Sequence, residues 1–166
     1  MDRHAALQLP ALIRAGVDWA GSLGSPSLIF EQWLFVGITE EFLYRGYLLT
    51  RVLRCCESLP KPLATVLAVV LSSAVFATAH IPASLSRQAQ GVSLQGIESL
   101  LSYVAFVFVA GLVYAYFFLR TRNIILVGLL HGGWNAPLVG QQNDLVRVVV
   151  FVIVVEVARL AAKRLL

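Results

Sequence analysis

The sequence predicts an all-α fold: a polytopic membrane helix bundle of about five transmembrane helices, with a short N-terminal amphipathic helix before them. Three observations carry this expectation. The 166-residue chain is 58% hydrophobic and only 13% charged, whereas a soluble domain carries about 25% charged residues. Its mean hydropathy is +0.79, and a soluble domain of this size buries only about two thirds of its surface, too little to hide so much apolar side chain. The apolar residues fall in long runs without strict two-residue alternation, and a bilayer admits only helices and closed barrels.

The elements follow in chain order. Residues 1–26 form an N-terminal segment, in which 10–20 read as an amphipathic helix and the Gly/Ser/Pro-rich stretch 21–26 as a linker. This segment lacks the long apolar core and small-residue cleavage site of a signal peptide. Residues 27–166 form the membrane core. Its apolar runs are 27–53, 62–80 (closed by Pro82), 96–119, 123–139 (with Pro137 near its end) and 145–160. A spanning helix needs about 20 apolar residues, within a range of about 17–25, and each run approaches this.

Basic residues mark the ends of the runs. Arg51, Arg54 and Lys61, then Arg120 and Arg122, then Arg159, Lys163 and Arg164 fall on alternate connections, which the positive-inside rule makes cytoplasmic. The net charge of +4 is scattered and forms no stripe. It suits membrane lipids and gives no footprint for nucleic acid. Cys55 and Cys56 are adjacent and have no third cysteine to pair with, so no disulfide framework follows. Their place just past an apolar run would permit S-acylation, but two inert small side chains is the simpler reading.

The first run contains TEEFLYRG, Thr39 to Gly46. A charged side chain at the centre of a spanning helix costs about 2.5–3.5 kcal/mol, so Glu40, Glu41 and Arg45 would together cost roughly 7–10 kcal/mol if charged and unpaired. Glu41 and Arg45 are four apart and face each other on a helix. Glu40 has no basic neighbour in sequence. Either a buried ion pair fixes helix packing and Glu40 is protonated, or Glu40 faces a wet cavity and works as a base.

Two further stretches add polar groups. FATAH places His80 at the end of the second run, and HGGWN places His131 and Asn135 on one face of the fourth. Such groups are expensive in lipid unless they meet one another. Gly128 and Gly132 form a small-xxx-small pair, with Gly133 beside them, that lets a neighbouring helix approach.

EEFLYRG fits an EExxxR pattern, FATAH an FxxxH pattern and HGGWN an HxxxN pattern. In order and spacing these resemble the CPBP family, which holds the CAAX prenyl proteases of the Ras-converting type and the bacteriocin-processing Abi proteins. VAGLVYAYFFLRTRNIILVGLLHGGWN reads like that family's third and fourth core helices, and the resemblance covers roughly residues 30–139. It implies an intramembrane endopeptidase. Glu40 would be the general base that activates water, and His80 would help to hold that water. Glu41 and Arg45 would orient the site. His131 and Asn135 would stabilise the oxyanion, where each preorganised donor is worth about 2.7–4 kcal/mol. The implied substrate is a prenylated protein or peptide, or a bacteriocin-like peptide, and the implied location is the plasma membrane of a prokaryote. Members of the family usually carry extra spanning helices before the first motif.

Family members are often described as metalloproteases, yet HExxH is absent. Glu40, His80 and His131, with Glu41 nearby, could supply carboxylate and imidazole ligands to a zinc ion. A metal-free glutamate–histidine pair uses the same residues, so both mechanisms stay open. Other intramembrane proteases fit less well. Ser93 has Gly91 two before it but Gln95 two after, so GxSxG is missing, and Asp2, Asp18 and Asp144 all lie outside the apolar runs. The alternative to an enzyme is a non-catalytic membrane immunity or scaffold protein that binds a peptide partner with the same cluster. A transporter is disfavoured, because paired broken helices in two corresponding halves are missing.

Overall fold

The computed structural model describes residues 26–87, 94–136 and 144–165. The expected amphipathic helix at 10–20 and the linker up to residue 25 lie outside these. Among the described residues every regular element is helical. In chain order they are α1 (Pro26–Phe30), a π-helical segment (Glu31–Gly37), α2 (Ile38–Glu41), a second π-helical segment (Phe42–Leu49), α3 (Thr50–Cys55), α4 (Lys61–Ala79), α5 (Ile81–Arg87), α6 (Leu94–Thr121), α7 (Ile124–Asn135) and α8 (Asp144–Leu165). The described residues fall into two compact units, one within Glu40–Ile124 and the other made of those before 40 together with those after 124.

In the Glu40–Ile124 unit, α4 packs along α6, and α3 and the second π segment lie against α4. Pro62 in the first turn of α4 occupies a place where its missing N–H costs nothing. Ala64, Ala68, Ser72, Ser73, Phe76 and Ala77 are buried. Their spacing of about four lines small side chains along one face, which lets α6 come close. Gly111 marks the tightest approach: a Cβ there would lie 3.0 Å from the Cβ of Ser73. Phe76, Ala77 and Val107 form the core, with Tyr44, Tyr103, Val104 and Phe108 packed on it. The opposite face of α4 leaves Leu63, Val66, Val70, Leu71 and Val75 exposed, as a lipid-facing surface requires.

The helical runs Lys61–Ser86 and Gly96–Thr121, 26 residues each, are long and apolar enough to cross a membrane. At 1.5 Å per residue each reaches about 39 Å, more than the roughly 30 Å hydrocarbon core.

α4 ends at Ala79, close to the expected end at His80, but Pro82 does not close the helical run. After a single turn residue, His80, the chain resumes as α5 for seven residues. Pro82 sits in the first turn of α5, where proline is tolerated. The N–H of Ser84 bonds to the His80 carbonyl across this point at 3.1 Å. His80 therefore lies inside a helical run, with about 10 Å of helix beyond it.

The connection between α6 and α7 is short. Arg122 adopts φ 54°, the left-handed geometry in which helices commonly end, and its N–H bonds to the Phe118 carbonyl at 2.7 Å.

In the other unit, the first π segment meets α7 at a crossing of glycines. A Cβ on Gly132 would lie 2.6 Å from the carbonyl oxygen of Gln32, one on Gly128 would lie 2.7 Å from Cα of Ile38, and one on Gly37 would lie 2.9 Å from N of Gly132. The neighbour admitted by Gly128 and Gly132 is thus the stretch 32–38. At 12 residues α7 is shorter than the expected run 123–139, of which 137–139 lie outside the described residues. α8 runs for 22 residues, with Val155 fully buried and Arg159 paired to Glu156 at 2.7 Å.

The two π segments are a departure from the expected α winding. Their hydrogen bonds join i to i+5, a rare geometry that is frequent at functional sites.

Candidate active site

The acidic pair of the first run is split by its surroundings. Glu41 and Arg45 are buried, with 0% and 1% of the side chain exposed, and Nη1 of Arg45 donates to Oε1 of Glu41 at 2.9 Å. Nη2 of Arg45 donates to the carbonyl of Gly111 on α6 at 3.0 Å. The face of the guanidinium lies over the Phe76 ring at 4.4 Å, with the Tyr114 ring at 5.5 Å and the Tyr44 ring at 6.0 Å. A desolvated cation over an aromatic face gains up to about 2 kcal/mol. Arg45 is thus held on an edge and on a face, and it ties the second π segment to α4 and α6.

Glu40 points elsewhere. Its side chain keeps 30% of its surface exposed, and its Oε2 lies 3.8 Å from Nε2 of His80. His80 is oriented by the way α4 ends. The His80 N–H turns to the Ala77 carbonyl, so the Phe76 carbonyl loses that helical partner. The His80 ring replaces it: Nδ1 lies 2.8 Å from the Phe76 oxygen. A carbonyl can only accept, so Nδ1 carries the hydrogen. In the neutral ring Nε2 then keeps its lone pair and turns it toward Glu40. The Phe76 ring packs edge-on to the His80 ring at 4.6 Å and to Tyr44 at 5.0 Å. Phe76 is therefore a common support for Arg45 and His80.

His131 and Asn135 lie on α7 in the other unit. His131 is buried, whereas Asn135 is exposed. Nδ2 of Asn135 donates to Oε1 of Gln32 at 3.2 Å. Next to it, Nε1 of Trp33 donates to the carbonyl of Ala136 at 2.8 Å. A Cβ on Gly133 would touch the Trp33 ring at 3.2 Å.

Of the expected site residues, Glu40, Glu41, Arg45 and His80 are gathered within one unit. Among the described residues no group of three His, Cys, Asp or Glu side chains is placed to hold a metal ion.

Residues 22–137 match the family described as type II CAAX prenyl endopeptidase, Rce1-like. The chain belongs to this family. The match spans well over half of the sequence and includes all three motifs. No curated protein and no solved structure matches the chain. Membership of the Rce1-like family makes this an integral membrane protein with a CAAX-type endopeptidase as its implied activity, and the two long apolar helices fit that placement.

The sequence reading missed Gln32, Gly111 and Tyr114. Gln32 carried a signal, since an amide in the apolar run SLIFEQWLFVGI is costly unless it is bonded. Tyr114 carried a weaker one, a hydroxyl in the middle of α6. Gly111 contributes its backbone carbonyl, which no side-chain pattern reveals.

Proposed function

We propose that this Rce1-like protein hydrolyses a peptide bond near the prenylated C-terminus of a CAAX-type substrate, inside a prokaryotic plasma membrane, by glutamate-based activation of water. The observation that carries the reading is the pair of Glu40 and His80. At 3.8 Å the two groups are too far apart for a direct hydrogen bond and close enough to act on one substrate water, reached through the part of the Glu40 side chain that stays exposed. Glu40 takes a proton from that water as the new O–C bond forms at the scissile carbonyl, and His80 Nε2 orients the second hydrogen. The proton then passes from Glu40 to the leaving amine as the C–N bond breaks. Glu40 so acts first as base and then as acid.

Glu41 and Arg45 are assigned a positioning role, in support of which Arg45 anchors to both Glu41 and Gly111. His131 and Asn135 are assigned the developing oxyanion, for which an imidazole N–H and an amide N–H are suitable donors. No step is routed through a metal.

The test is cleavage of an internally quenched, farnesylated CAAX peptide by purified protein in phosphatidylcholine vesicles. Wild type is expected to cleave. Glu40→Ala is expected to abolish turnover while melting like wild type. A Glu40→Ala protein that cleaves at the wild-type rate would remove Glu40 from the chemistry. Peptide binding without cleavage by wild type would point to the scaffold reading.

A further inference from the structure

The first π segment and the end of α7 are joined by two side-chain hydrogen bonds from adjacent residues. Gln32 Oε1 accepts from Nδ2 of Asn135 at 3.2 Å, and Trp33 Nε1 donates to the carbonyl of Ala136 at 2.8 Å. The backbone brings these groups within reach. Gly132 sits so close to Gln32 and Trp33 that a Cβ would lie 2.6 Å from the Gln32 oxygen. The Trp33 bond fixes the carbonyl just past the last residue of α7, where helix carbonyls lack an intrahelical partner.

The Gln32 bond has a chemical consequence for Asn135. An amide side chain can present either its oxygen or its nitrogen in a given direction. With Gln32 presenting Oε1, the bond occupies one of the two Nδ2 hydrogens and leaves the other to donate. An oxyanion needs a donor, and an amide turned the other way would offer it a repelling oxygen.

We infer that Gln32 is a positioning residue of this endopeptidase, holding the Asn135 amide in the orientation that donates to the oxyanion. The inference rests on the assignment of Asn135 to the oxyanion made above. Gln32 itself does not touch the substrate. Its contribution is realised as the charge on the carbonyl oxygen develops, so its loss lowers kcat and leaves KM in place.

The experiment is a double-mutant cycle between Gln32→Leu and Asn135→Ala, read with the farnesylated CAAX peptide in vesicles. Gln32→Leu keeps the bulk and removes the acceptor. It is expected to lower kcat about 10-fold at unchanged KM, less than the roughly 100-fold expected of Asn135→Ala. In the Asn135→Ala background, Gln32→Leu is expected to have no further effect, because the group that it orients is gone. A merely structural Gln32 would lower the rate by the same factor in both backgrounds, and that result would overturn the inference. So would a wild-type kcat for Gln32→Leu beside a crippled Asn135→Ala. If Asn135→Ala itself turns over like wild type, the oxyanion assignment fails and the role of Gln32 falls with it. Should Gln32→Leu melt well below wild type, Gln32→Met replaces it in the cycle and is read by the same criteria.

Discussion

Replacing Arg45 with Met removes the guanidinium from beside the carboxylate of Glu41, whose side chain is 0% exposed. Three interactions are lost together: the 2.9 Å bond to Glu41, the 3.0 Å bond to the Gly111 carbonyl, and the contact with the Phe76 ring at 4.4 Å. Breaking one partner out of a buried ion pair costs about 3–5 kcal/mol, chiefly because the other charge is stranded. For a chain of this length, such a loss corresponds to a drop of roughly 10 °C in Tm. The assay is thermal unfolding of purified protein in a mild detergent, followed by intrinsic tryptophan fluorescence. The double variant Glu41→Gln with Arg45→Met strands no charge and is expected to recover at least half of the loss. An Arg45→Met protein that melts within about 1 °C of wild type would refute the reasoning, since the pair would then contribute nothing that a methionine cannot. A double variant that melts lower than Arg45→Met would refute the stranded-charge argument in particular.

Three further outcomes are expected. Phe76→Leu keeps the carbonyl that accepts from His80 Nδ1 but removes the ring that supports both His80 and Arg45; its kcat should fall about 10-fold with a Tm loss of a few degrees, and a wild-type kcat would contradict the shared support. Gly132→Ala forces a Cβ to within 2.6 Å of the Gln32 oxygen; backbone must shift, at a cost of about 1–3 kcal/mol or more, and a Tm equal to wild type would show that the crossing is looser than described. Extended dialysis against a strong zinc chelator should leave the rate of peptide cleavage unchanged, and inactivation reversed by added zinc would restore a metal to the mechanism.

The helical class and the positions of most helices were legible because lipid leaves the backbone so few choices, and a run of apolar residues between basic ends says enough. The pairing of Glu41 with Arg45 was legible from spacing alone. The extension through Pro82 was not, because a proline that ends one helix and a proline that opens the next look alike in sequence. The π winding of 31–37 and 42–49 escaped as well: apolar periodicity reports which residues face away from lipid, and in a run that is apolar all round it cannot separate a turn of four residues from one of five. At the site, the motif residues stood out as polar groups in the wrong solvent. The orientation of His80 did not, because it depends on a carbonyl released by the end of α4. Gln32 was visible in the sequence but had no apparent partner until α7 was seen to cross it.

The anchoring of Arg45 to the carbonyl of Gly111 has an evolutionary side. A side-chain acceptor can be deleted by one nucleotide change, whereas a main-chain oxygen survives every substitution at its own residue. Position 111 is therefore free of selection for an acceptor side chain and constrained first by size, because a Cβ there would press on Ser73 at 3.0 Å. In a saturation library, tolerance at 111 should fall with side-chain volume and, at equal volume, with unpartnered polarity, while smaller residues at 73 should widen what 111 accepts. The arginine can drift only by losing its own guanidinium, and lineages of this protein can rework the apolar face of α6 without untying it.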